Sequence, residues 1–219
     1  MTCSKQENRE RRTAQDLPPR LRRQDAAGAA TSGIQPPATY SIVLRPCVNP
    51  AKYSGLAAVS GLAVLEALEK QGLANEIGLK WPNDLVARER KLGGILVEAA
   101  RDNDSKPFAV CGIGVNVNYA PQEVPDGGLP AIGLSDLNEN VPAVDMLLDE
   151  VYHAVIDAAD AWAERLNAKE KDAGPLAPVH DEYIAHLNWI GKHVIARSPA
   201  GDELARGIFK TVDAFGRAC

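Results

Sequence analysis

The sequence predicts an α/β fold of the α+β type, in which a mixed β-sheet is flanked by helices. Short β-branched or apolar runs are interspersed with helical patterns. They do not follow the regular βαβ order of a doubly wound sheet. The chain of 219 residues, 45% hydrophobic and 24% charged, is long enough for one sizeable core. We therefore expect one main domain, with room for a small second one.

The first half of that domain is expected to contain most of the sheet. The run TYSIVLRP, which begins at Thr39, is rich in β-branched residues and predicts a strand that ends at Pro46. Leucines at helical spacing predict a helix from Lys52 to Gln71, capped by Gly72. Further strands are expected at Glu76–Trp81, Asp84–Ala87, Gly94–Ala99 and Lys106–Asn118.

The second half is expected to be mainly helical before it returns to short strands. A Pro/Gly loop at 119–130 precedes a long amphipathic helix, which runs from after Pro142 to about Asn167. A shorter helix is expected at Asp181–Asn188. Short strands linked by turns are expected in the rest of the chain.

The first 38 residues differ from the rest in composition and charge. They are rich in Arg, Gln, Ala, Gly and Pro and predict a disordered or loosely attached arm. Seven Lys or Arg against four Asp or Glu give this segment a charge of +3, and 17 against 25 give the remainder −8. An acidic body argues against nucleic-acid binding as the main function.

Other function classes are disfavoured by what the sequence contains. Its apolar stretches are shorter than the ~18 residues of a membrane span. Its first residues, MTCSKQENRERR, are charged where a signal peptide is apolar. We therefore expect a cytoplasmic protein without a membrane partner. Four widely spaced cysteines predict free thiols rather than a disulfide or zinc framework.

The segment KWPNDLVARERKLGGILVE, residues 80–98, carries the strongest chemical signal. Pro82 cannot donate a hydrogen bond to a sheet, so the chain is expected to turn there and to present Asn83 and Asp84 at a strand end. A carboxylate and an amide oxygen are suitable ligands for Mg²⁺.

Two cations and a glycine pair flank this turn. Lys80 and Lys91 can approach one anion if their strands are neighbours. Gly93 and Gly94 lack a Cβ and would let a ligand lie against bare backbone. The pattern therefore suits a magnesium-bearing anionic ligand. The alternative is that both lysines are exposed, Asp84 only makes a turn, and the glycines form a bulge.

A second glycine motif, GIGVNVN, occupies residues 112–118. Gly112 and Gly114 follow an apolar strand, but the sequence after them lacks the third glycine and helix of a dinucleotide-binding fingerprint. We therefore interpret these glycines as positions that admit a ligand to a strand, with Asn116 contacting it.

Together, KWPNDL, RKLGGILVE and GIGVNVN resemble the catalytic domain of biotin–protein ligases in both order and separation. The likeness covers about Thr39 to Phe215. It implies an enzyme that forms biotinyl-5′-AMP from biotin and ATP. The biotin would then pass to a lysine of the biotin carboxyl carrier domain of a biotin-dependent carboxylase. Lipoate–protein ligases share the fold and are the enzymatic alternative. A weak or inactive remnant that binds a carrier domain is the other alternative.

The resemblance also implies roles for individual residues. Lys91 would contact the biotin carboxylate and then the adenylate phosphate, with Lys80 assisting on the phosphate side. Asn83 and Asp84 would hold the Mg²⁺ that accompanies ATP, and Asp84 would also orient or deprotonate the carrier lysine. The ligand pocket would be lined by Gly93, Gly94, Gly112 and Gly114, with Asn116 near the nucleotide.

The sequence departs from this family at both ends. Residues 1–38 lack a glycine–arginine loop of the form GRGRxGRxW, which covers biotin and the adenylate in the family. We therefore expect weak or leaky activity, because water would reach the adenylate. Near the other end, ARGIFKTVDAFG resembles part of a small SH3-like domain that would be incomplete at Cys219. The expected domains are an arm (1–38), a catalytic domain (39–189) and a truncated SH3-like domain (190–219), without a DNA-binding winged helix.

Overall fold

A computed structural model of the chain describes residues 38–73, 76–118, 121, 128–198 and 200–219. The predictions made for residues 1–37, including the arm and its arginines, lie outside the described residues. The same holds for most of the Pro/Gly loop at 119–130.

The described residues form seven β-strands and three α-helices. They are β1 (Ala38–Leu44), α1 (Leu56–Lys70), β2 (Ile77–Lys80), β3 (Asp84–Ala87), β4 (Arg90–Arg101), β5 (Pro107–Val115), α2 (Val144–Asn167), α3 (His180–Ala185), β6 (His193–Arg197) and β7 (Glu203–Ile208). Short 3₁₀ turns at Pro50–Gly55 and Leu134–Asp136 lie before α1 and α2. This order confirms the predicted combination of a sheet with flanking helices.

The first five strands form one sheet in the order β1-β5-β4-β3-β2. Every neighbouring pair of these strands is antiparallel. Isolated parallel bridges join Leu79 to Leu187 and Lys91 to Ala131. The second bridge brings a distant part of the chain beside one of the predicted site lysines.

One face of this sheet is buried against α1 and α2. Alternate residues of β1, such as Ile42 and Leu44, point into this core, and α2 contributes the fully buried Trp162. The indole Nε1 of Trp162 donates a hydrogen bond to the Pro175 carbonyl at 2.7 Å, so this large side chain leaves no polar atom unpaired. Burying one large apolar side chain stabilises the fold by roughly 1.5–3 kcal/mol.

The opposite face of the sheet is open over the middle strands. Thr39 and Ser41 of β1 are exposed there, as is Leu96 of β4. A sheet with one buried and one open face presents alternate residues of each strand at its surface. The candidate site lies on this open face.

The β6–β7 hairpin forms a separate two-stranded sheet with mostly exposed side chains. The residues after it return to the main body, where Phe209 and Val212 are buried in the same core as the large sheet. Lys192, just before β6, forms an ion pair with Glu89 in the turn between β3 and β4 at 2.7 Å. The C-terminal segment therefore contacts the hairpin that carries the candidate site.

The cysteines and the helices bear on two expectations, that of free thiols and that of a chain without a membrane span. Cys111 and Cys219 are free thiols, but Cys47 is disulfide-bonded, so the prediction of a free thiol is wrong at that position. Within the described ranges, every helix is too short or too polar to cross a membrane.

Candidate functional site

The Trp-Pro-Asn turn brings a cation and a carboxylate to the same end of two strands. Lys80 is the last residue of β2 and pairs in register with Asp84, the first residue of β3. The intervening turn contains a cis peptide bond between Trp81 and Pro82. Lys80 Nζ donates a hydrogen bond to Asp84 Oδ2 at 2.9 Å. The turn predicted at Pro82 is therefore present, and it places the Asp84 carboxylate beside Lys80.

Asn83 fixes this turn to the neighbouring strand β4. Its side-chain Nδ2 donates to the Ile95 carbonyl at 2.6 Å, and the Ile95 N–H donates to the Asn83 carbonyl at 2.9 Å. Because the amide nitrogen is used in this way, the side-chain oxygen is the group that Asn83 can offer to a metal ion.

A β-bulge in β4 brings Lys91 to the side of the sheet that carries Asp84. Asp84 pairs with Gly94 and Leu85 with Gly93, but Val86 pairs with Lys91, so Leu92 is an extra residue on β4. In a regular strand, Lys91 and Gly94 would point to opposite faces. The extra residue changes the alternation, as bulges commonly do when they re-aim a side chain.

Lys91 consequently reaches the carboxylate that Lys80 also contacts. Its Nζ lies 2.6 Å from Asp84 Oδ1, on the other side of the carboxylate from Lys80. A Cβ atom on Gly94 would lie 3.6 Å from both Lys91 Nζ and Asp84 Oδ1. The two ammonium groups expected to approach one anion thus meet at Asp84, above a position without a side chain.

This cluster of Lys80, Asp84 and Lys91, which we call the charge cluster, carries a net charge of +1. Burial alone would raise the pKa of the Asp84 carboxyl, but hydrogen bonds from Lys91 and Lys80 outweigh burial and hold that pKa below its ordinary value. Asp84 is therefore ionised at neutral pH. Its side chain is 15% exposed, against 45% for Lys91, so the Lys91 ammonium is the more accessible end.

An aromatic ring that the sequence did not indicate completes the surroundings of Lys80. Lys80 Nζ lies 5.4 Å from the centre of the Trp189 ring, within the range of a cation–π contact. Trp189 is brought there because the chain before it pairs with β2: the Leu79 N–H donates to the His186 carbonyl, and the Asn188 N–H to the Leu79 carbonyl. Such long-range pairing leaves no local signal in the sequence.

The glycines Gly94, Gly112 and Gly114 lie on the open face beside the charge cluster. Gly94 pairs with Gly114, and Leu96 pairs with Gly112, so these positions alternate on one face of β4 and β5. A Cβ on Gly112 would meet nothing closer than 3.7 Å. These three half-buried positions therefore form a floor of backbone without side chains, although a Cβ on Gly114 would meet Thr39 Cγ2 at 3.3 Å.

Gly93 does not belong to this floor, which corrects the expectation that it lines a ligand pocket. It pairs with the buried Leu85 and Val115, on the core face of the sheet. A Cβ on Gly93 would lie 2.3 Å from the Gly114 carbonyl oxygen. Gly93 is thus required for the close approach of β4 and β5. Alternation along a strand could have separated Gly93 from Gly94 on the sequence alone.

Asn116 lies behind Lys91 and is only 7% exposed. Its Nδ2 donates to the Lys91 carbonyl at 3.2 Å and to the Ile132 carbonyl at 3.1 Å. Both hydrogens of the amide group are therefore used within the protein. The structure brings Asn116 to the site as predicted, but its amide donors bind backbone.

A small cavity adjoins the charge cluster at the Asn83 end. Its volume is about 230 Å³ and its lining includes Trp81, Asn83, Leu96 and Tyr183. Trp81 is anchored by a 2.9 Å hydrogen bond from its Nε1 to the Gly216 carbonyl. Ligand pockets usually enclose ~300–1,000 Å³, so this cavity is smaller than a complete small-molecule site.

The described residues contain no group of three or more His, Cys, Asp or Glu side chains that could hold a metal ion. Mg²⁺ is commonly bound through one or two carboxylates together with phosphate oxygens of a substrate and water. The Asp84 carboxylate and the Asn83 oxygen are ligands of the kind that Mg²⁺ accepts, although both Asp84 oxygens contact lysines in this structure.

Comparison with known proteins shows which proteins this chain resembles. Residues 22–118 match the biotin/lipoate A/B protein ligase family, so this part of the chain is similar to that family. The biotin--[acetyl-CoA-carboxylase] ligase of Mycobacterium tuberculosis is 34% identical over 167 residues, which cover 76% of this chain and 54% of the relative. The ligase of the same name from Paracoccus denitrificans is 29% identical over 204 residues, which cover 90% of this chain and 80% of the relative. The chain thus spans about half the length of the first relative.

Solved structures confirm the fold. The apo biotin protein ligase of Aquifex aeolicus superposes with a TM-score of 0.62 at 23% identity, covering 82% of this chain and 72% of that one. The same protein in complex with biotin and ATP superposes with a TM-score of 0.58 at 22% identity, covering 82% of this chain and 69% of that one. A biotin protein ligase-like protein of unknown function from Silicibacter superposes with a TM-score of 0.59 at 22% identity, covering 82% of this chain and 72% of that one.

Proposed function

We propose that this chain is the catalytic part of a biotin–protein ligase. It would use ATP to form biotinyl-5′-AMP and then transfer biotin to a lysine of the biotin carboxyl carrier domain of a biotin-dependent carboxylase. The observation that carries the proposal is the charge cluster, in which Lys80 and Lys91 contact opposite oxygens of Asp84 above Gly94. The names of the relatives support biotin and a carboxylase as the substrates.

The first half-reaction, which forms biotinyl-5′-AMP, requires cations beside the two reacting anions. A carboxylate must approach an α-phosphate that is already anionic, and two unit charges 4 Å apart repel by about 4 kcal/mol at an effective dielectric constant of 20. Lys91 is the more exposed of the two lysines and stands over Gly94. We assign it to the biotin carboxylate and then to the adenylate phosphate, with Lys80 on the phosphate side.

Asp84 has a different role because its carboxylate stays ionised. A carboxyl group with a depressed pKa is a weak base, so Asp84 is better suited to orient the incoming carrier lysine than to deprotonate it. With the Asn83 oxygen it would also hold Mg²⁺ bound to ATP, which would neutralise phosphate charge. In the charge cluster as the structure shows it, the Asp84 carboxylate contacts both lysines and holds them in place.

The open glycine face would receive the biotin rings and valeryl chain. Gly94, Gly112 and Gly114 present backbone where a side chain would otherwise block a flat ligand. Leu96 on this face is 60% exposed. Because the sequence of residues 1–38 lacks a glycine–arginine loop of the form GRGRxGRxW, we expect slow turnover and loss of biotinyl-5′-AMP to solvent.

Two assays on the purified chain test the proposal. Biotin-dependent exchange of labelled pyrophosphate into ATP measures the first half-reaction, and transfer of labelled biotin to a carrier domain measures the second, with labelled lipoate in parallel. We expect exchange with biotin, slow transfer, and free biotinyl-5′-AMP in solution. Exchange with lipoate instead would indicate a lipoate–protein ligase. Binding of the carrier domain without any exchange would indicate a non-enzymatic role.

A further inference from the structure

The backbone of Lys91 is held by a distant segment of the chain. The Lys91 N–H donates to the Pro130 carbonyl at 2.7 Å, and the Ile132 N–H donates to the Lys91 carbonyl at 2.9 Å. Residues 130–132 therefore run beside the start of β4, in the parallel bridge between Lys91 and Ala131. This support is needed because β4 is irregular here, with Leu92 as the extra residue of the bulge.

Asn116 binds both residues of this bulge. Its backbone N–H donates to the Leu92 carbonyl at 2.8 Å, and its side-chain Nδ2 donates to the Lys91 carbonyl at 3.2 Å. The second hydrogen of Nδ2 reaches the Ile132 carbonyl at 3.1 Å, so one amide group joins the two segments that meet at Lys91. The Leu134 N–H in turn donates to the Asn116 carbonyl at 2.9 Å.

We propose that Asn116 is a positioning residue for Lys91: by holding the bulge in β4 it keeps the Lys91 ammonium on the Asp84 carboxylate. Its amide donors are used by backbone carbonyls and the side chain is buried, so it acts through Lys91 rather than by donating to a nucleotide. The bulge determines on which face Lys91 lies, and a small displacement of a reacting group can lower a rate by about 100-fold. The catalytic consequence rests on the proposed function, whereas the structural consequence does not.

The structural consequence is tested first, by chemical labelling of lysines in the intact chain. Asn116→Ala is compared with the unmutated chain and with Asn167→Ala, which removes an amide donor from the Cys47 carbonyl far from the site. Each protein is treated briefly with an acetylating reagent, and the acetylation of Lys91 is measured by mass spectrometry relative to Lys70. We expect labelling of Lys91 to rise about fivefold in Asn116→Ala, the factor that corresponds to loss of the hydrogen bond to the Lys91 carbonyl, and not in Asn167→Ala. Unchanged labelling of Lys91 overturns the proposal.

The kinetic consequence separates positioning from nucleotide binding. In biotin-dependent pyrophosphate exchange, Asn116→Ala should lower kcat by roughly 10- to 100-fold and leave KM for ATP within about twofold. A large rise in KM for ATP with unchanged Lys91 labelling would instead make Asn116 a nucleotide ligand. Should Asn116→Ala not fold, Asn116→Leu, which has the same number of side-chain heavy atoms but no donors, is measured in the same assays. If the unmutated chain shows no exchange, the proposed function fails, while the labelling result still decides the role of Asn116.

Discussion

The Lys91 ammonium lies 2.6 Å from Asp84 Oδ1 although the two residues stand on different strands, and only a bulge at Leu92 puts them on one face. Because the Lys91 side chain is 45% exposed, water screens the pair and its contribution to stability is small. The pair matters because it holds the Lys91 ammonium where a ligand can reach it from solvent. Removal of that ammonium should therefore lower activity without lowering the stability of the fold.

Substitution Lys91→Ala should abolish biotin-dependent pyrophosphate exchange. An uncorrected repulsion of about 4 kcal/mol between the reacting anions corresponds to about a thousandfold loss of rate. The free energy of unfolding in urea should change by no more than about 0.5 kcal/mol, because the lysine is at the surface and Asp84 keeps Lys80 as a partner. Exchange and urea unfolding are measured on the same preparation.

A matched control for this variant is Lys70→Ala. Lys70 pairs with Glu66 on the surface of α1 at 2.8 Å, so this substitution also removes one lysine from one ion pair. It should leave exchange unchanged. Comparable exchange by Lys91→Ala and the unmutated chain would show that the charge cluster does not carry the reaction.

Substitution Asp84→Asn should change how stability depends on pH. The pKa of Asp84 is lowered in the folded protein, so its ionised form stabilises the fold above the ordinary aspartate pKa of about 3.9. This contribution is lost as the pH falls through the lower, folded-state pKa. The difference in unfolding free energy between the unmutated chain and Asp84→Asn should therefore be constant near neutrality and shrink below about pH 4.

Urea unfolding of both proteins from pH 7 down to the acid limit of folding measures this difference. Asp102→Asn is a useful comparison, because the Asp102 pKa is also lowered, although its carboxylate lies far from the charge cluster and contacts Arg45. It should show a similar acid dependence without loss of pyrophosphate exchange. A difference for Asp84→Asn that stays the same across the whole pH range would show that the carboxylate is not stabilised by its two lysines.

The type and order of the elements could be predicted because their signals are local. Alternation and β-branched residues gave β1 and β5, and leucine spacing gave α1 and α2. The start of β4 could not be predicted: it begins at Arg90, four residues earlier than expected, because the turn consists only of Arg88 and Glu89. Both have positive φ angles, 49° and 58°, which are uncommon for residues other than glycine.

The site was predictable as a set of residues, but its contacts were not. Two lysines near one Asp indicated an anion site, while their meeting at Asp84 depends on the bulge at Leu92. The contact between Asn116 and Lys91 depends on residues 130–132, which return from a distant part of the chain. Such pairings join residues far apart in sequence, and no short motif encodes them.

Substitution Trp81→Phe tests whether this residue packs or binds ligand. Its indole Nε1 donates to the Gly216 carbonyl at 2.9 Å, which ties the site turn to the C-terminal segment. Loss of this hydrogen bond should lower the free energy of unfolding by about 1 kcal/mol. KM for biotin and for ATP should not change in pyrophosphate exchange. A several-fold rise in either KM with unaltered stability would make Trp81 a ligand contact.

The adjacent glycines Gly93 and Gly94 should respond in opposite ways to substitution by alanine. On Gly93 the new Cβ would meet the Gly114 carbonyl oxygen at 2.3 Å, and backbone atoms cannot move aside as a side chain could. Gly93→Ala should therefore lower the free energy of unfolding by about 3 kcal/mol. On Gly94 the nearest atoms are 3.6 Å away, so Gly94→Ala should cost less than about 1 kcal/mol.

KM for biotin should respond in the reverse order, with the larger change in Gly94→Ala than in Gly93→Ala. The Cβ of Gly94→Ala would stand on the open face beside Lys91 Nζ and Asp84 Oδ1, where biotin is proposed to lie. One methyl group in a ligand site typically changes discrimination by roughly 10- to 200-fold, so KM for biotin should rise by about tenfold. Gly93→Ala, assayed below its unfolding temperature, should raise KM for biotin less than Gly94→Ala does, because its Cβ lies on the core face and affects the open face only through the Gly114 backbone. If Gly93→Ala raised KM and Gly94→Ala only destabilised the fold, the open face would not be the biotin surface.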